Sequence, residues 1–185
     1  PKLIFLKKTT KMEPRKRLIV DMDGVLADVY QQFINFEKRE LGNTILLEDL
    51  NGVDEVKAFP NGEKHVRQKD FFRTAPIISG AQETLKQLHK KYDVFIVSAA
   101  MEFPNSLQEK YYWLEEHFPF ISWKQIVLCG YKTVVQGAIM IDDHFKNLDY
   151  FEGRTLLFTQ PHNSSTHEHS HERVNNWEEI KRLLL

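Results

Sequence analysis

One cysteine, Cys129, stands in the 185 residues. No internal disulfide can form, and a reducing cytoplasm is the expected setting. Glycine is scarce at 8, which excludes a collagen-like chain. Long apolar runs are missing: Val94–Val97 and Ala138–Ile141 reach four residues, against the roughly 20 that a membrane-crossing helix needs. No membrane association is expected. An excess of one charge is missing as well, since 25 Lys and Arg against 26 Asp and Glu leave a formal net charge of −1. Proteins that grip a nucleic-acid backbone usually carry a basic surplus, so no polynucleotide partner is expected.

What is present is material for a core. Hydrophobic residues make up 42%, with 13 Phe, 6 Tyr and 3 Trp, which excludes a disordered chain. The length suits one domain, with or without a small insert. Residues 1–16 differ from the rest: Lys2, Lys7, Lys8, Lys11, Arg15 and Lys16 face a single acid, Glu13. Leu3–Leu6 is too short for the apolar part of a secretory signal. The segment reads as a solvated extension.

From Arg17 onward, short apolar runs alternate with amphipathic stretches. The runs Leu18–Val20, Val94–Val97, Ile126–Leu128, Ala138–Ile141 and Thr155–Phe158 are rich in Val and Ile and of strand length. Strands that are apolar throughout are buried on both faces, the mark of a parallel sheet between helices. Ser79 is the expected cap of a helix ending near Lys91, Ser106 with Glu109 has the spacing of a capping box, and Asn175 and Asn176 open a C-terminal helix. The expected class is α/β, doubly wound. Residues 29–75 break the rhythm. Phe33, Ile34, Phe36 and Leu41 lie at helical spacing, and Asn51-Gly52, Pro60 and Asn61-Gly62 punctuate the remainder. This reads as a small helical insert. His167, His169 and His171 fall in a polar stretch without apolar period and read as a solvated loop, with alternating metal ligands as the sharper alternative.

The chemistry gathers at inferred strand ends. Asp21 and Asp23 leave the first run two residues apart, a spacing that puts strand side chains on one side, and Gly24 allows a sharp turn after them. In open α/β sheets, ligands bind beyond the carboxyl ends of strands. A second acidic pair, Asp142-Asp143, follows another buried run. Two carboxylates at about 4 Å repel by roughly 4 kcal/mol at an effective dielectric near 20. A hard divalent ion is the natural offset, and Mg²⁺ suits a few carboxylates plus phosphate. Ser98 ends the Val94–Val97 run, and Lys132 precedes the second pair. Hydroxyl and ammonium groups suit phosphoryl oxygens. Taken singly, each has an ordinary reading as strand-end bonder, helix cap or surface lysine. Their joint placement points to phosphoryl transfer through an aspartyl-phosphate.

Asp21-Met22-Asp23-Gly24-Val25-Leu26-Ala27-Asp28, Ser98, Lys132 and Ile141-Asp142-Asp143 resemble the four motifs of the haloacid-dehalogenase-like (HAD) phosphatases. More narrowly, residues 17–182 resemble the 5′(3′)-deoxyribonucleotidase family. Lys132-Thr133-Val134-Val135, Phe158-Thr159 ahead of His162-Asn163, and Trp177 carry that narrower likeness, and Ser98-Ala99-Ala100-Met101 is similar to the bacterial branch. The resemblance implies a Rossmannoid three-layer sandwich, with a core of residues 17–28 and 76–185 and a helical cap of residues 29–75. It implies Asp21 as nucleophile and Asp23 as acid and base. Mg²⁺ would be bound by Asp21, Asp23, Asp143 and Asp142, and phosphate by Asp23, Ser98, Ala99 and Lys132. The implied substrate is a small nucleoside monophosphate, handled by a monomer or homodimer. Animal members carry aromatics where this chain has Val29 and Val53-Asp54, while Phe71 and Phe72 match the family's aromatic run and also suit packing between cap and core. Competing readings are a sugar-phosphate phosphatase of the same superfamily, a receiver-type phospho-accepting module, and an idle binding protein.

Overall fold

The computed structural model describes residues 14–185, so most of the expected extension, residues 1–13, lies outside the described residues. Six strands form one sheet in the order β3-β2-β1-β4-β5-β6. They are β1 (Arg17–Asp21), β2 (Asp93–Ser98), β3 (Ile126–Leu128), β4 (Ile139–Asp142), β5 (Arg154–Phe158) and β6 (Glu172–Val174). Every pairing among them is parallel.

The central strands lie inside because both of their faces are covered. Leu18 and Val20 pack with Ile96, Ile141, Trp113 and Trp177 on one face, whereas Ile19 joins Val97, Met140 and Leu157 on the other. Helices α4 (Ala81–Lys91), α5 (Ser106–His117) and α7 (Trp177–Leu184) contribute to the first face. The short α6 (Phe145–Leu148) contributes Leu148 and Phe145 to the second. This is the three-layer α/β sandwich that the unbroken apolar runs require. Among the described residues, no helix is long and apolar enough to cross a membrane.

Between β1 and α4 the chain carries α1 (Val29–Leu41), α2 (Glu55–Ala58) and α3 (Gly62–Val66). Asp28 caps α1 by accepting from the Gln31 N–H at 2.9 Å. Tyr30, Phe33, Phe36, Phe59, Phe71 and Phe72 build a cluster separate from the sheet's. Full burial of such a side chain contributes about 1.5–3 kcal/mol, so the six together give the insertion an apolar core of its own. Phe71 packs on Phe33 and Phe36, while Phe72 reaches Phe103 outside the insertion.

Four local expectations fail. Gly80, at φ +81, occupies the N-cap of α4 instead of Ser79. The capping box at Ser106 does not form: Ser106 Oγ donates to the Ala100 carbonyl, and the Glu109 carboxylate accepts from the N–H groups of Asp70, Phe72 and Arg73. Strand β6 has no counterpart among the expected strands, because Glu172-Arg173-Val174 is a polar edge segment without an apolar run. The histidine stretch is not wholly a solvated loop either. His171 is buried, with Nε2 2.9 Å from Asp149 and Nδ1 2.8 Å from Thr155 Oγ1. By contrast, Asn176 does cap α7, accepting from the Glu179 N–H.

Candidate active site

Register sets the site. Asp21 pairs with Val97 across β1 and β2, and Val20 pairs with Ile141 across β1 and β4. Asp21, Ser98 and Asp142 therefore end neighbouring strands on one rim. Asp21, Asp142 and Asp143 are all buried, and one carboxylate oxygen of each lies within 4.8 Å of the others. Lys132, in a 3₁₀ turn at Lys132–Val134, reaches into this group. Its Nζ is 2.6 Å from Asp21 Oδ1 and 2.7 Å from Asp142 Oδ2, and its side chain is 2% exposed. Asp142 is further held by the His144 N–H and by Asn147 Nδ2. Ala99 follows Ser98 at the same strand end.

Burial first, then the Asp142 carboxylate, pushes both Asp21 and Asp143 well above the usual carboxylate range, with Lys132 opposing. Burial alone would lower the Lys132 ammonium, but Asp142 and Asp21 outweigh it and raise its proton affinity, so it stays charged. One ammonium among three carboxylates leaves a formal deficit of two positive charges. Asp143 Oδ1 and Asp23 Oδ1 are buried with no hydrogen-bond partner among the described residues. Buried polar atoms are rarely left so, and all-oxygen donors around a net negative hollow fit a hard divalent cation.

Asp23 arrives by another route than strand alternation. β1 ends at Asp21, and a tight turn comes next, in which the N–H groups of Leu26 and Ala27 both donate to the Met22 carbonyl. Gly24 sits in it at φ +73, and a Cβ there would lie 2.3 Å from Asp143 Oδ2. No other residue allows both the left-handed backbone and so close an approach. Asp23 Oδ2 accepts from Lys110 Nζ at 2.5 Å and faces Ser98 Oγ at 3.4 Å, and Lys110 also donates to Ser98 Oγ at 3.0 Å. Two polar groups thus share the rim: Asp21, Lys132, Asp142 and Asp143 in one, Asp23, Ser98 and Lys110 in the other.

Lys110 escapes the sequence reading. Its signal is there: Ser106, Lys110, Trp113 and Leu114 are the buried face of α5, and a lysine on an apolar face needs a partner. The turn after β5 carries part of the family likeness at His162-Asn163, but the bonds its residues make escape the sequence reading. Gln160 Nε2 donates to the Gly24 carbonyl at 2.6 Å, and Asn163 Nδ2 donates to the Asp143 carbonyl at 2.8 Å. One loop thereby ties together the two turns that carry the acids. His162 Nε2 lies 3.0 Å from the same Asp143 carbonyl. Burial, then His144, pushes His162 down to about 4, so its ring is neutral at pH 7.

The family described as 5′ nucleotidase, deoxy (pyrimidine), cytosolic type C protein matches residues 15–185. The chain belongs to this nucleotidase family. A 5′(3′)-deoxyribonucleotidase of Bacillus subtilis (strain 168) is 40% identical over 174 residues, spanning 92% of this chain and 99% of the relative. That of Bacillus phage SPbeta matches to the same extent. Family membership makes the chain a phosphoric monoester hydrolase. Solved structures share its fold at low identity. A haloacid-dehalogenase-like protein from Agrobacterium tumefaciens covers 91% of this chain and 97% of its own at TM-score 0.61 and 14% identity. A magnesium-bound HAD-hydrolase from Bacillus subtilis covers 93% and 99% at TM-score 0.57 and 14% identity. The nucleotidase fold is therefore HAD-like.

Proposed function

We propose that this nucleotidase is a Mg²⁺-dependent phosphomonoesterase that hydrolyses deoxynucleoside monophosphates to nucleoside and inorganic phosphate through an aspartyl-phosphate. The observation that carries the reading is Lys132 Nζ set between Asp21 Oδ1 and Asp142 Oδ2, beside a partnerless Asp143 Oδ1. Mg²⁺ would be held by Asp21, Asp143, the Asp23 main chain and, behind them, Asp142, and would supply charge neutralisation for the phosphoryl oxygens.

Asp21 Oδ1 is committed to the Met22 N–H and to Lys132. That leaves Oδ2 as the attacking oxygen. Its attack on phosphorus breaks the bond to the ribose oxygen, which takes a proton from Asp23. A water then gives a proton back to Asp23, attacks the same phosphorus and releases the Asp21 carboxylate with inorganic phosphate. Asp23 must be protonated for the first step. In the free protein Lys110 pairs with it. A phosphate dianion beside Ser98, Ala99 and Lys110 would compete with Asp23 for that ammonium. Lys132 stays fixed and offsets charge on Asp21 throughout.

Residues 29–75 act as the cap over the sugar and base, excluding water during transfer. The free Cys129 and the bacterial relatives fit work in a reducing cytoplasm. The test is phosphate release from a panel of 5′- and 3′-deoxynucleotides, ribonucleotides and sugar phosphates, with Mg²⁺ and with chelator. Deoxynucleotides turning over fastest, and nothing with chelator, is the expected result. Sugar phosphates turning over as fast would replace the substrate assignment with the sugar-phosphatase alternative.

A further inference from the structure

The geometry points to a second metal site, adjoining the aspartate hollow at Asp143 but built from different residues, formed by Glu55, His144 and His162 and suited to a borderline divalent cation such as Zn²⁺. One ligand atom from each of the three lies within 4.8 Å of the other two. They come from three places: Glu55 opens α2 in the insertion, His144 adjoins Asp143, and His162 lies in the turn Pro161–Asn163 after β5.

Three features make the group a ligand set and not a chance meeting. First, the two imidazoles stack nearly parallel, with centroids 4.4 Å apart and planes at 16°. Their Nε2 atoms point the same way, 4.0 Å (His144) and 3.9 Å (His162) from Asp143 Oδ2. Second, Glu55 is within 4.8 Å of both rings yet forms an ion pair closer than 4.0 Å with neither. Two donors about 2.1 Å from a common ion stand about 3.4 Å apart at a tetrahedral angle, so closing the set takes side-chain shifts of an ångström or so. Third, His162 already has the outer-shell partner that ligating histidines use. Its Nδ1 lies 3.2 Å from the Tyr30 hydroxyl, which accepts from Nδ1–H once Nε2 turns to a metal. The Asp143 carbonyl that Nε2 leaves keeps its bond from Asn163 Nδ2 at 2.8 Å. No buried acceptor is orphaned by the exchange.

The donor set decides the ion. Two imidazole nitrogens and one carboxylate suit Zn²⁺, whereas Mg²⁺ prefers oxygens in an octahedron. The hard aspartate hollow and this nitrogen-rich site thus divide divalent cations between them. An ion here ties the insertion to the two turns that carry and brace Asp143. It holds the insertion against the core and slows exchange of substrate and product, so Zn²⁺ inhibits in the presence of saturating Mg²⁺. Binding is independent of the reaction proposed above; only the inhibition arm rests on it.

Co²⁺ is the probe, added to the full chain with Mg²⁺ in large excess to fill the oxygen site. Nitrogen-ligated Co²⁺ of low coordination number absorbs strongly in the visible, and octahedral all-oxygen Co²⁺ absorbs weakly. The expected result is one strongly absorbing Co²⁺ per chain, displaced by Zn²⁺. Glu55→Gln and His144→Ala should each weaken Co²⁺ binding at least ten-fold, about 1.4 kcal/mol, with unchanged far-ultraviolet circular dichroism. Zn²⁺ inhibition, scored against each variant's own uninhibited rate, should weaken in parallel. A weak octahedral spectrum in the native chain, or Co²⁺ affinity unchanged in both variants, would overturn the site.

Discussion

Lys132→Met tests the electrostatics of the aspartate hollow most directly. Methionine keeps the apolar stem and removes the cation that contacts both Asp21 and Asp142. Three carboxylates then share a buried space with no ammonium to offset them. Breaking a buried ion pair costs about 3–5 kcal/mol, against about 5–15 kcal/mol for a whole domain. For a chain of this size that lowers the melting temperature by roughly 10 °C or more in the absence of divalent ions. The deficit depends on pH with a definite sign. Burial, then Asp142, raises the Asp21 and Asp143 pKa values, and Lys132 is what restrains them. A carboxylate whose native pKa is raised keeps its proton to higher pH than the unfolded chain does, so its destabilising effect is full above the native value and fades as pH falls through that value towards the unfolded one. Without Lys132 both values rise further. The gap between variant and parent is therefore wider at pH 7.5 than at pH 5. On the reaction proposed above Mg²⁺ binds the native state alone, so it should restore part of the loss. Thermal and urea denaturation at the two pH values, with and without Mg²⁺, measure all of this. A metal-free variant within about 1 kcal/mol of the parent at pH 7.5, with a parallel pH profile, would refute the claim that Lys132 offsets these buried charges.

Asp21→Asn should abolish phosphate release while leaving the metal-free protein as stable as the parent or more so at pH 7.5, since it deletes a buried charge; calorimetry and a malachite-green assay check both halves. Lys110→Met should lower kcat/KM about ten- to a hundred-fold, the 1.5–3 kcal/mol of a charge-assisted hydrogen bond, with little change in Mg²⁺ affinity. A loss confined to Mg²⁺ binding would move Lys110 to the other polar group. Gly24→Ala forces a Cβ to within 2.3 Å of Asp143 Oδ2 at a positive φ. It should cost about 1–2 kcal/mol of stability through backbone strain and weaken Mg²⁺ binding at least ten-fold, read from the Mg²⁺ dependence of the melting temperature.

How far the sequence reaches depends on whether local pattern or distant partners decide a position. The five apolar runs are legible because both faces of a central parallel strand must be covered, and once their order is known, their carboxyl ends locate Asp21, Ser98 and Asp142 on one rim. Local reading fails wherever a remote group outbids it. The Ser106–Glu109 spacing satisfies every short-range criterion of a capping box, yet three backbone N–H groups of residues 70–73 take the Glu109 carboxylate instead. Strand β6 carries no apolar run, because an edge position buries little beyond Val174. What holds it beside the turn after β5 is Arg173, which reaches Asn163 and Thr159 there. Lys110 lies between these cases. Its place on the buried face of α5 can be read from the spacing with Trp113 and Leu114, but its partner Asp23 is 87 residues away. The acidic groups of the hollow obey the same logic. An acidic residue announces a cation, but the loop that aims it, through Gln160 on Gly24 and Asn163 on Asp143, is made of amides whose role exists only once the chain has closed.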